Sequence, residues 1–267
     1  MPPASASYRL DDAATARRVL ELAAQRFAQH RLTGASRTTI YYDTFDWRVY
    51  RRGTWLRARF EGPSRLLSWV RTDGEEIQRA PLTAKPGLAR DLPAGPLREE
   101  LADVLEMRRL FPLFSIETLT ETLHILDSRR KTVARAQIEI LSVQVAEEPT
   151  STADLPVLLR ALPIRGYDRD YAALLETLET LDLEPLTEDE FALAADAIGL
   201  KPGGYSRRLD LKLDPEEPAD AALRSILRRL LEVIQQNEAG LRGNLDSEFL
   251  HDFRVAVRRT RSALSQL

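Results

Sequence analysis

The sequence predicts an α+β fold, in which an antiparallel β-barrel or tunnel with flanking helices is followed by a C-terminal helical hairpin. Two observations support this. Between residues 37 and 145, several segments alternate apolar and polar side chains with a period of two, which is typical of strands with one buried face. From residue 219 onward the apolar period becomes helical. A chain of 267 residues is long enough for one large domain and part of another.

The first half of the chain is predicted to be mostly sheet. A short strand over residues 5–10 precedes a helix over residues 11–29, for which Asp11 or Asp12 provides the N-cap. Runs rich in β-branched and aromatic residues then predict a series of strands. These strands cover residues 37–42, 54–61, 66–72 and 75–82.

The middle of the chain is predicted to contain two helices and the longest hairpin. The hairpin strands, 115–127 and 132–145, close around a polar turn. A helix over residues 97–109 comes before the hairpin. Residues 155–163 follow it as the last strand, with a helix as the alternative for this run. A helix over residues 167–181 comes next, capped by Asp168.

Composition divides the chain into three parts. Residues 1–183 form the sheet-rich domain, residues 184–206 a linker rich in proline and glycine, and residues 207–267 a partial helical domain. A short helix over residues 187–198 is predicted inside the linker. In the last part, Asp214-Pro215 is predicted to start a helical hairpin formed by residues 219–241 and 249–267. Two helices alone bury too little surface to be stable.

Composition also excludes several classes of site. The absence of cysteine rules out disulfides, cysteine nucleophiles and iron–sulfur clusters. Three histidines are too few for a histidine-rich metal site. His124 lies in a predicted strand and His30 ends a predicted helix, so both are interpreted as structural. The net charge of −3 gives no support to bulk binding of nucleic acid. No signal peptide or membrane-spanning stretch is visible, which predicts a cytoplasmic protein without a membrane partner.

Arginines on two predicted strands are the first candidate site. Arg57 and Arg59 project to the same side of one strand, and Arg71 lies on the next. If that side is a barrel interior, the charges need anionic partners, and phosphate oxygens suit the guanidinium geometry. The alternative is that this face simply points into water.

A basic stripe on the last predicted helix is the second candidate site. His251, Arg254, Arg258 and Arg261 follow one another at helical spacing, with few acidic residues near enough to pair with them. The stripe is either a solvated face or a surface for an anionic ligand.

Both candidate sites lie in segments that resemble known modules. Residues 41–44 (YYDT) and 52–59 (RGTWLRAR) resemble the signature of CYTH domains, the triphosphate tunnel metalloenzyme family, over about residues 4–182. Residues 250–262 (LHDFRVAVRRTRS) resemble the opening of a CHAD domain, an all-helical module whose basic face binds polyphosphate. The resemblance implies that Arg57, Arg59, Arg71 and Arg135 bind triphosphate or polyphosphate, as do the four residues of the terminal stripe.

The chain departs from the CYTH pattern at the metal site. The family's first strand carries Glu-x-Glu-x-Lys, and the resemblance puts Pro3, Ser5 and Ser7 at those positions. Thr118 and Thr120 stand where basic residues are common. No metal site is therefore predicted, with Glu139 as the candidate ligand should Mg²⁺ or Mn²⁺ bind.

Three functions follow from these residues. The leading one is a cytoplasmic phosphate-polymer binding protein with a degenerate tunnel domain and a CHAD-like segment. Polyphosphate granules are its expected location in the cytoplasm. The alternative is a metal-dependent inorganic triphosphatase that hydrolyses triphosphate with Mg²⁺ or Mn²⁺. A third is a scaffold whose basic stripe docks an acidic protein.

Overall fold

The computed structural model describes residues 5–146, 151–205 and 211–265. The predicted fold class is confirmed, because a ten-stranded sheet with antiparallel strand pairs is flanked by helices and followed by two long helices. The strands are β1 (Ala6–Leu10), β2 (His30–Thr44), β3 (Thr54–Glu61), β4 (Ser64–Arg71), β5 (Glu76–Pro81), β6 (Leu110–Leu126), β7 (Thr132–Val145), β8 (Thr152–Asp154), β9 (Val157–Pro163) and β10 (Glu184–Pro185). The helices are α1 (Ala13–Gln25), α2 (Pro96–Leu105), α3 (Asp168–Glu179), α4 (Glu190–Ala197), α5 (Ala219–Arg242) and α6 (Ser247–Leu264).

The strand order of the sheet is β10-β1-β9-β7-β6-β2-β3-β4-β5, with β8 paired to β7. This order has two ends, β10 and β5, so it is an open path rather than a ring of hydrogen-bonded strands. The long hairpin β6–β7 lies near its middle and pairs in register from Phe114 and Val145 to Leu126 and Thr132.

The chain forms two compact units, each assembled from separate segments. The first unit comprises Met1–Tyr42, Leu56–Leu82 and Pro112–Lys201, and it contains most of the sheet with α1, α3 and α4. The second comprises Asp43–Trp55, Thr83–Phe111 and Pro202–Leu267, and it contains α2, α5 and α6.

The main core of the first unit lies between the sheet and the helices α1 and α3. Helix α1 buries Ala16, Val19, Leu20 and Ala23, which recur at helical spacing, and Asp12 caps it by accepting a hydrogen bond from the Thr15 N–H at 2.8 Å. Burying each large aliphatic side chain contributes about 1.5–3 kcal/mol, so this apolar stripe holds the helix on the sheet.

In the second unit, the helices α5 and α6 form a hairpin with a small core. Leu230 and Val233 pack against Ala256. At the tip of the hairpin, the Phe249 ring lies so close to Gly240 that a Cβ there would come within 2.5 Å of three ring carbons. Glycine at position 240 therefore allows the close approach of the two helices.

Three local predictions are wrong. Helix α3 has Tyr167 rather than Asp168 as its N-cap residue. Helix α5 begins at Ala219, after Pro218, and not at Asp214-Pro215, because the Asp214 side chain instead bonds the Glu216 N–H in a turn. His30 begins β2 rather than ending a helix. Strand β2 is longer than its β-branched and aromatic residues predict, because it pairs with the long strand β6.

Candidate functional site

Alternation along the strands gives the sheet two chemically different faces. One face carries the apolar core, including Ala134, Ala136 and Ile138 of β7. The opposite face is polar on its central strands, and we call it the arginine face. Cross-strand register and direct contacts place on it Ser7 of β1, Arg160 of β9, Arg135, Gln137 and Glu139 of β7, Thr118, Thr120, Thr122 and His124 of β6, Arg37, Thr39 and Tyr41 of β2, and Arg57 and Arg59 of β3.

The strands β2 and β3 contribute the part of this face that was predicted from sequence. Thr39 is directly opposite Arg59, and Tyr41 is opposite Arg57, so each arginine has a fixed polar neighbour. Burial raises the pKa of the Tyr41 hydroxyl, and the charge of Glu190 raises it further, while Arg57 lowers it by its charge and a hydrogen bond. Tyr41 is therefore a neutral phenol beside the two guanidinium groups.

A buried carboxylate with several partners occupies the next part of the arginine face. Glu139 accepts hydrogen bonds from Arg160 Nε and Gln137 Nε2, both at 2.8 Å, and from Arg37 Nη2 at 3.4 Å. Burial raises the pKa of Glu139, but the charges of Arg160 and Arg37 outweigh it and leave the pKa below its usual value. Glu139 is thus ionised and fully used in holding two arginines.

Helix α4 packs on the same face. The Phe191 ring makes aromatic contacts with Tyr41 and Phe114, with both centroid distances 5.2 Å. Glu190, the first residue of α4, is only 8% exposed, and its Oε1 lies 3.6 Å from Arg37 Nη2. Burial lowers the pKa of Arg37, and the charges of Glu190 and Glu139 more than offset that effect.

The arginine face leaves buried polar atoms without hydrogen-bond partners. Among the described residues, these atoms include the Nε of Arg37, Arg57, Arg59 and Arg135, the hydroxyls of Thr39 and Thr118, and Oε1 of Glu190. Burial, followed by repulsion from Arg57 and Arg37, lowers the pKa of Arg59. Each unsatisfied buried donor costs about 1–3 kcal/mol, so their concentration on one face is the arrangement expected of an anion site.

The structure brings three of the predicted tunnel residues, Arg57, Arg59 and Arg135, onto this face. Arg71 is a correction, because it does not join them. It is the last residue of β4, its side chain is 55% exposed, and its Nε lies 3.0 Å from Asp73 and 3.6 Å from Glu75. Arg71 is therefore an exposed arginine with carboxylate partners in its own turn.

The residues at the expected metal positions do not fit a magnesium or manganese site. Pro3 lies outside the described residues. Ser5 is exposed, and Ser7 lies 3.4 Å from Arg160 Nη1. Glu139 is already engaged by guanidinium and amide donors. In the part of the chain that the structure describes, no group of three or more histidine, cysteine, aspartate or glutamate side chains is placed to hold a metal ion.

The second candidate site lies on α6. His251, Arg254, Arg258 and Arg261 are all exposed, as predicted. Within residues 5–146, 151–205 and 211–265, none of the four makes an ion pair. The Asp252 carboxylate next to His251 is buried and accepts a hydrogen bond from the Tyr205 hydroxyl at 2.7 Å, so it does not neutralise the stripe at the surface.

Within the YYDT motif, Asp43 has a structural role in the second unit. The buried Asp43 carboxylate accepts hydrogen bonds from three backbone N–H groups, those of Thr44 at 2.7 Å, Val49 at 3.0 Å and Tyr50 at 2.8 Å. Burial raises its pKa to about 6, although the three N–H groups act in the opposite direction. We call residues 43–50 the Asp43 loop.

Other charged groups of the second unit are also paired. Arg108 is buried and lies 3.3 Å from Asp46 and 3.0 Å from Glu248. Arg48 pairs with Asp46 at 3.1 Å and with Glu106 at 2.9 Å. Burial raises the pKa of Asp46, but hydrogen bonds from Thr44 and Arg48 lower it below its usual value. These pairs satisfy one another and leave no evident role for a ligand.

Sequence reasoning missed Arg37, Arg160 and Glu190. Arg160 carried a usable signal, because it is a single arginine inside the otherwise apolar run 157–163, where an unpaired charge would be costly. Arg37 shares the strand period of Thr39 and Tyr41, which was also a usable signal. Glu190 carried none, because a glutamate in the first turn of a helix is ordinary.

The comparison of protein families finds the CHAD domain family at residues 225–267. This match confirms the predicted CHAD resemblance for the segment that contains most of α5 and all of α6. A search of curated proteins found no match. Within the described residues, no helix combines the length and the hydropathy that a membrane span requires.

Solved structures similar to this chain include three proteins described as cyclases or triphosphatases. A putative adenylyl cyclase from Hippeastrum, described as having a dominant triphosphatase activity, is 15% identical over 76% of this chain and 99% of that one, with a TM-score of 0.47. A putative adenylate cyclase from Bacillus halodurans is 12% identical over 70% and 94%, with a TM-score of 0.43. An inorganic triphosphatase is 11% identical over 74% and 98%, with a TM-score of 0.33.

Proposed function

We propose that this protein binds inorganic phosphate oligomers or polymers, triphosphate or polyphosphate, on its arginine face. The observation that carries the proposal is the set of four buried arginine Nε atoms without hydrogen-bond partners, on Arg37, Arg57, Arg59 and Arg135. Guanidinium groups present their donors in a planar fork that matches two phosphate oxygens. A phosphate chain offers such oxygens in series and satisfies several of these donors at once.

The charge balance of the face supports a multiply charged ligand. The arginine face brings together five guanidinium groups, those of Arg37, Arg57, Arg59, Arg135 and Arg160, and two carboxylates, Glu139 and Glu190. Burial is the main cause of the lowered pKa of Arg59, and the positive charges of Arg57 and Arg37 lower it further. A ligand with several negative charges removes the excess, whereas a single carboxylate leaves most of it.

The basic stripe of α6 is proposed as a second surface for long phosphate chains. Its four residues span ten positions of a helix, or about 15 Å at 1.5 Å per residue. A linear polyanion lying along the stripe meets several exposed cations and releases counterions from both partners. Binding here is therefore expected to be weaker than on the arginine face and to fall steeply with salt.

Hydrolysis is not part of the proposal. Metal-assisted attack on a phosphoryl group needs oxygen ligands for the ion. On the arginine face, Glu139 is held by Arg160, Arg37 and Gln137, and serines stand at positions 5 and 7. Binding without turnover is the function that these residues support best. We place it in the cytoplasm, with polyphosphate granules as the expected site of action.

Calorimetric titration of the whole chain with tripolyphosphate in a chelator tests the arginine face. Replacing Arg57 and Arg59 together by glutamine is expected to weaken binding at least tenfold, because two guanidinium groups whose buried Nε atoms have no partner are lost. Arg71→Gln is the control, since it removes an arginine that is exposed and paired with Asp73. Equal loss in both variants, or no binding by the parent protein, overturns the proposal. The same samples with Mg²⁺ or Mn²⁺ should release no phosphate.

Titration with long-chain polyphosphate tests the stripe separately. The triple variant Arg254→Gln, Arg258→Gln and Arg261→Gln should bind about three- to tenfold more weakly at low salt. A matched control removes the same charge from α5 by Arg224→Gln, Arg228→Gln and Arg242→Gln, all exposed positions. If the two triple variants lose affinity equally, net charge rather than the stripe is responsible.

A further inference from the structure

Helix α4 places a carboxylate on the face where the phosphate ligand is expected. Glu190 is buried and 3.6 Å from Arg37, and its charge also acts on Arg59 and Tyr41. Its Oε1 nevertheless makes no hydrogen bond with any described residue. Strong guanidinium–carboxylate pairs have N–O distances of about 2.7–2.9 Å and two parallel hydrogen bonds. Glu190 is therefore close enough to act as a counter-ion but is poorly bonded as one.

The contrast with Glu139 on the same face makes this clear. Glu139 is held at 2.8 Å by Arg160 and by Gln137, so its oxygens are used within the sheet. Glu190 reaches the face from a separate helix, α4. The next residue of that helix, Phe191, contacts the sheet through its ring, which packs against Tyr41 and Phe114. Removing Glu139 would break hydrogen bonds from Arg160, Gln137 and Arg37. Removing Glu190 breaks no hydrogen bond to its Oε1.

Helix α4 is short enough to be displaced. It has eight residues, and its buried positions besides Glu190 are Phe191, Ala194 and Ala195, of which only Phe191 is large. Isolated helices of this length are marginal in water, so α4 depends on its packing against the sheet. Low local stability of this kind is typical of segments that move when a ligand binds.

We propose that Glu190 is an internal competitor, which a phosphate ligand must displace from the arginine face together with the start of α4. This inference rests on the proposed function and adds its regulation. It makes the site selective by charge, because a ligand must pair with the arginines better than one carboxylate does. Inorganic monophosphate should therefore compete poorly with Glu190, and tripolyphosphate should compete well.

The first test measures the affinity of the whole chain for tripolyphosphate in the Glu190→Gln variant. Removing the competing charge should tighten binding roughly tenfold, the size of one modest charge–charge interaction in a partly buried site. Glu188→Gln is the matched control, because Glu188 is an exposed carboxylate two residues earlier in the chain. It should leave the affinity unchanged within about twofold.

The second test uses the parent protein alone and therefore does not depend on the folding of a variant. Hydrogen exchange of the amides of residues 190–197 should become faster when tripolyphosphate is added, because α4 loses its packing. Slower or unchanged exchange would show that the ligand binds without displacing α4.

The outcomes separate the two proposals. If the parent protein binds tripolyphosphate but Glu190→Gln binds no better, or α4 exchange does not rise, the internal competitor is excluded and the binding function stands. If neither the parent nor Glu190→Gln binds tripolyphosphate, the binding function itself is wrong.

Discussion

The arginine face and the Asp43 loop both bury ionised side chains, but they treat them in opposite ways. In the Asp43 loop, one carboxylate serves three backbone N–H groups at 2.7–3.0 Å. On the arginine face, four guanidinium Nε atoms have no partner among the described residues. Burial of a charged side chain alone therefore does not indicate a function. A satisfied charge is part of the fold, whereas a cluster of unsatisfied like charges calls for a ligand.

The largest expected change in the free energy of unfolding is in the Asp43 loop, where the buried charge has all its partners. Asp43→Ala leaves three buried N–H groups without an acceptor and should lower the free energy of unfolding by about 3–5 kcal/mol. The measurement is urea denaturation of parent and variant. The control is Asp73→Ala, which removes an exposed turn aspartate that accepts from the Glu75 N–H and should cost under about 1 kcal/mol. If Asp43→Ala and Asp73→Ala lower the free energy of unfolding equally, the burial of Asp43 does not determine its contribution to stability.

The stability of the protein is also expected to depend on pH through Asp43. The pKa of Asp43 is raised from 3.8 to about 6 in the folded protein. The folded state therefore binds this proton more tightly than the unfolded state, so the contribution is fully present below about pH 4 and is lost as the pH rises through 6. A shift of about two units corresponds to about 3 kcal/mol.

Asp43→Asn isolates this contribution from those of other carboxylates. Unfolding free energies of parent and variant are compared at intervals between pH 4 and pH 6.5. The parent should lose stability relative to the variant across this range. A constant difference would mean that Asp43 does not titrate there.

The smallest expected effect is on the arginine face, and its sign is unusual. Replacing Arg57 and Arg59 by glutamine should leave the unfolding free energy unchanged or raise it by up to about 1 kcal/mol, because unpaired like charges are removed. Arg160→Gln is the control from the same face. It removes the guanidinium that lies 2.8 Å from the buried Glu139 carboxylate and should cost about 1–3 kcal/mol. If the double variant is destabilised as much as Arg160→Gln, the two arginines are structural and the comparison fails.

The site was predictable only where it is local. Arg57 and Arg59 share a strand face because successive side chains alternate between the two faces of a sheet. Their spacing of two residues is enough to predict this. Their position relative to Arg37, Arg135, Arg160 and Glu190 depends on the strand order β9-β7-β6-β2-β3, which no local pattern specifies. Arg71 shows the limit of period-two reasoning. The period holds along β4, but the strand ends at Arg71 and nearby turn carboxylates engage it.

Periodicity in the sequence predicts the antiparallel α+β class, the long hairpin and the basic stripe of α6, and the motif at residues 250–262 predicts the CHAD-like segment. These signals are local to one or two elements, where the direction of each side chain is set by the local backbone. Only the tertiary structure decided which buried charges have partners. Arg160 meets Glu139 across a strand pair, and Glu190 reaches Arg37 from a helix about 150 residues away in sequence. Such pairings arise from non-local packing, whose free energy depends on the whole sheet rather than on any segment of it.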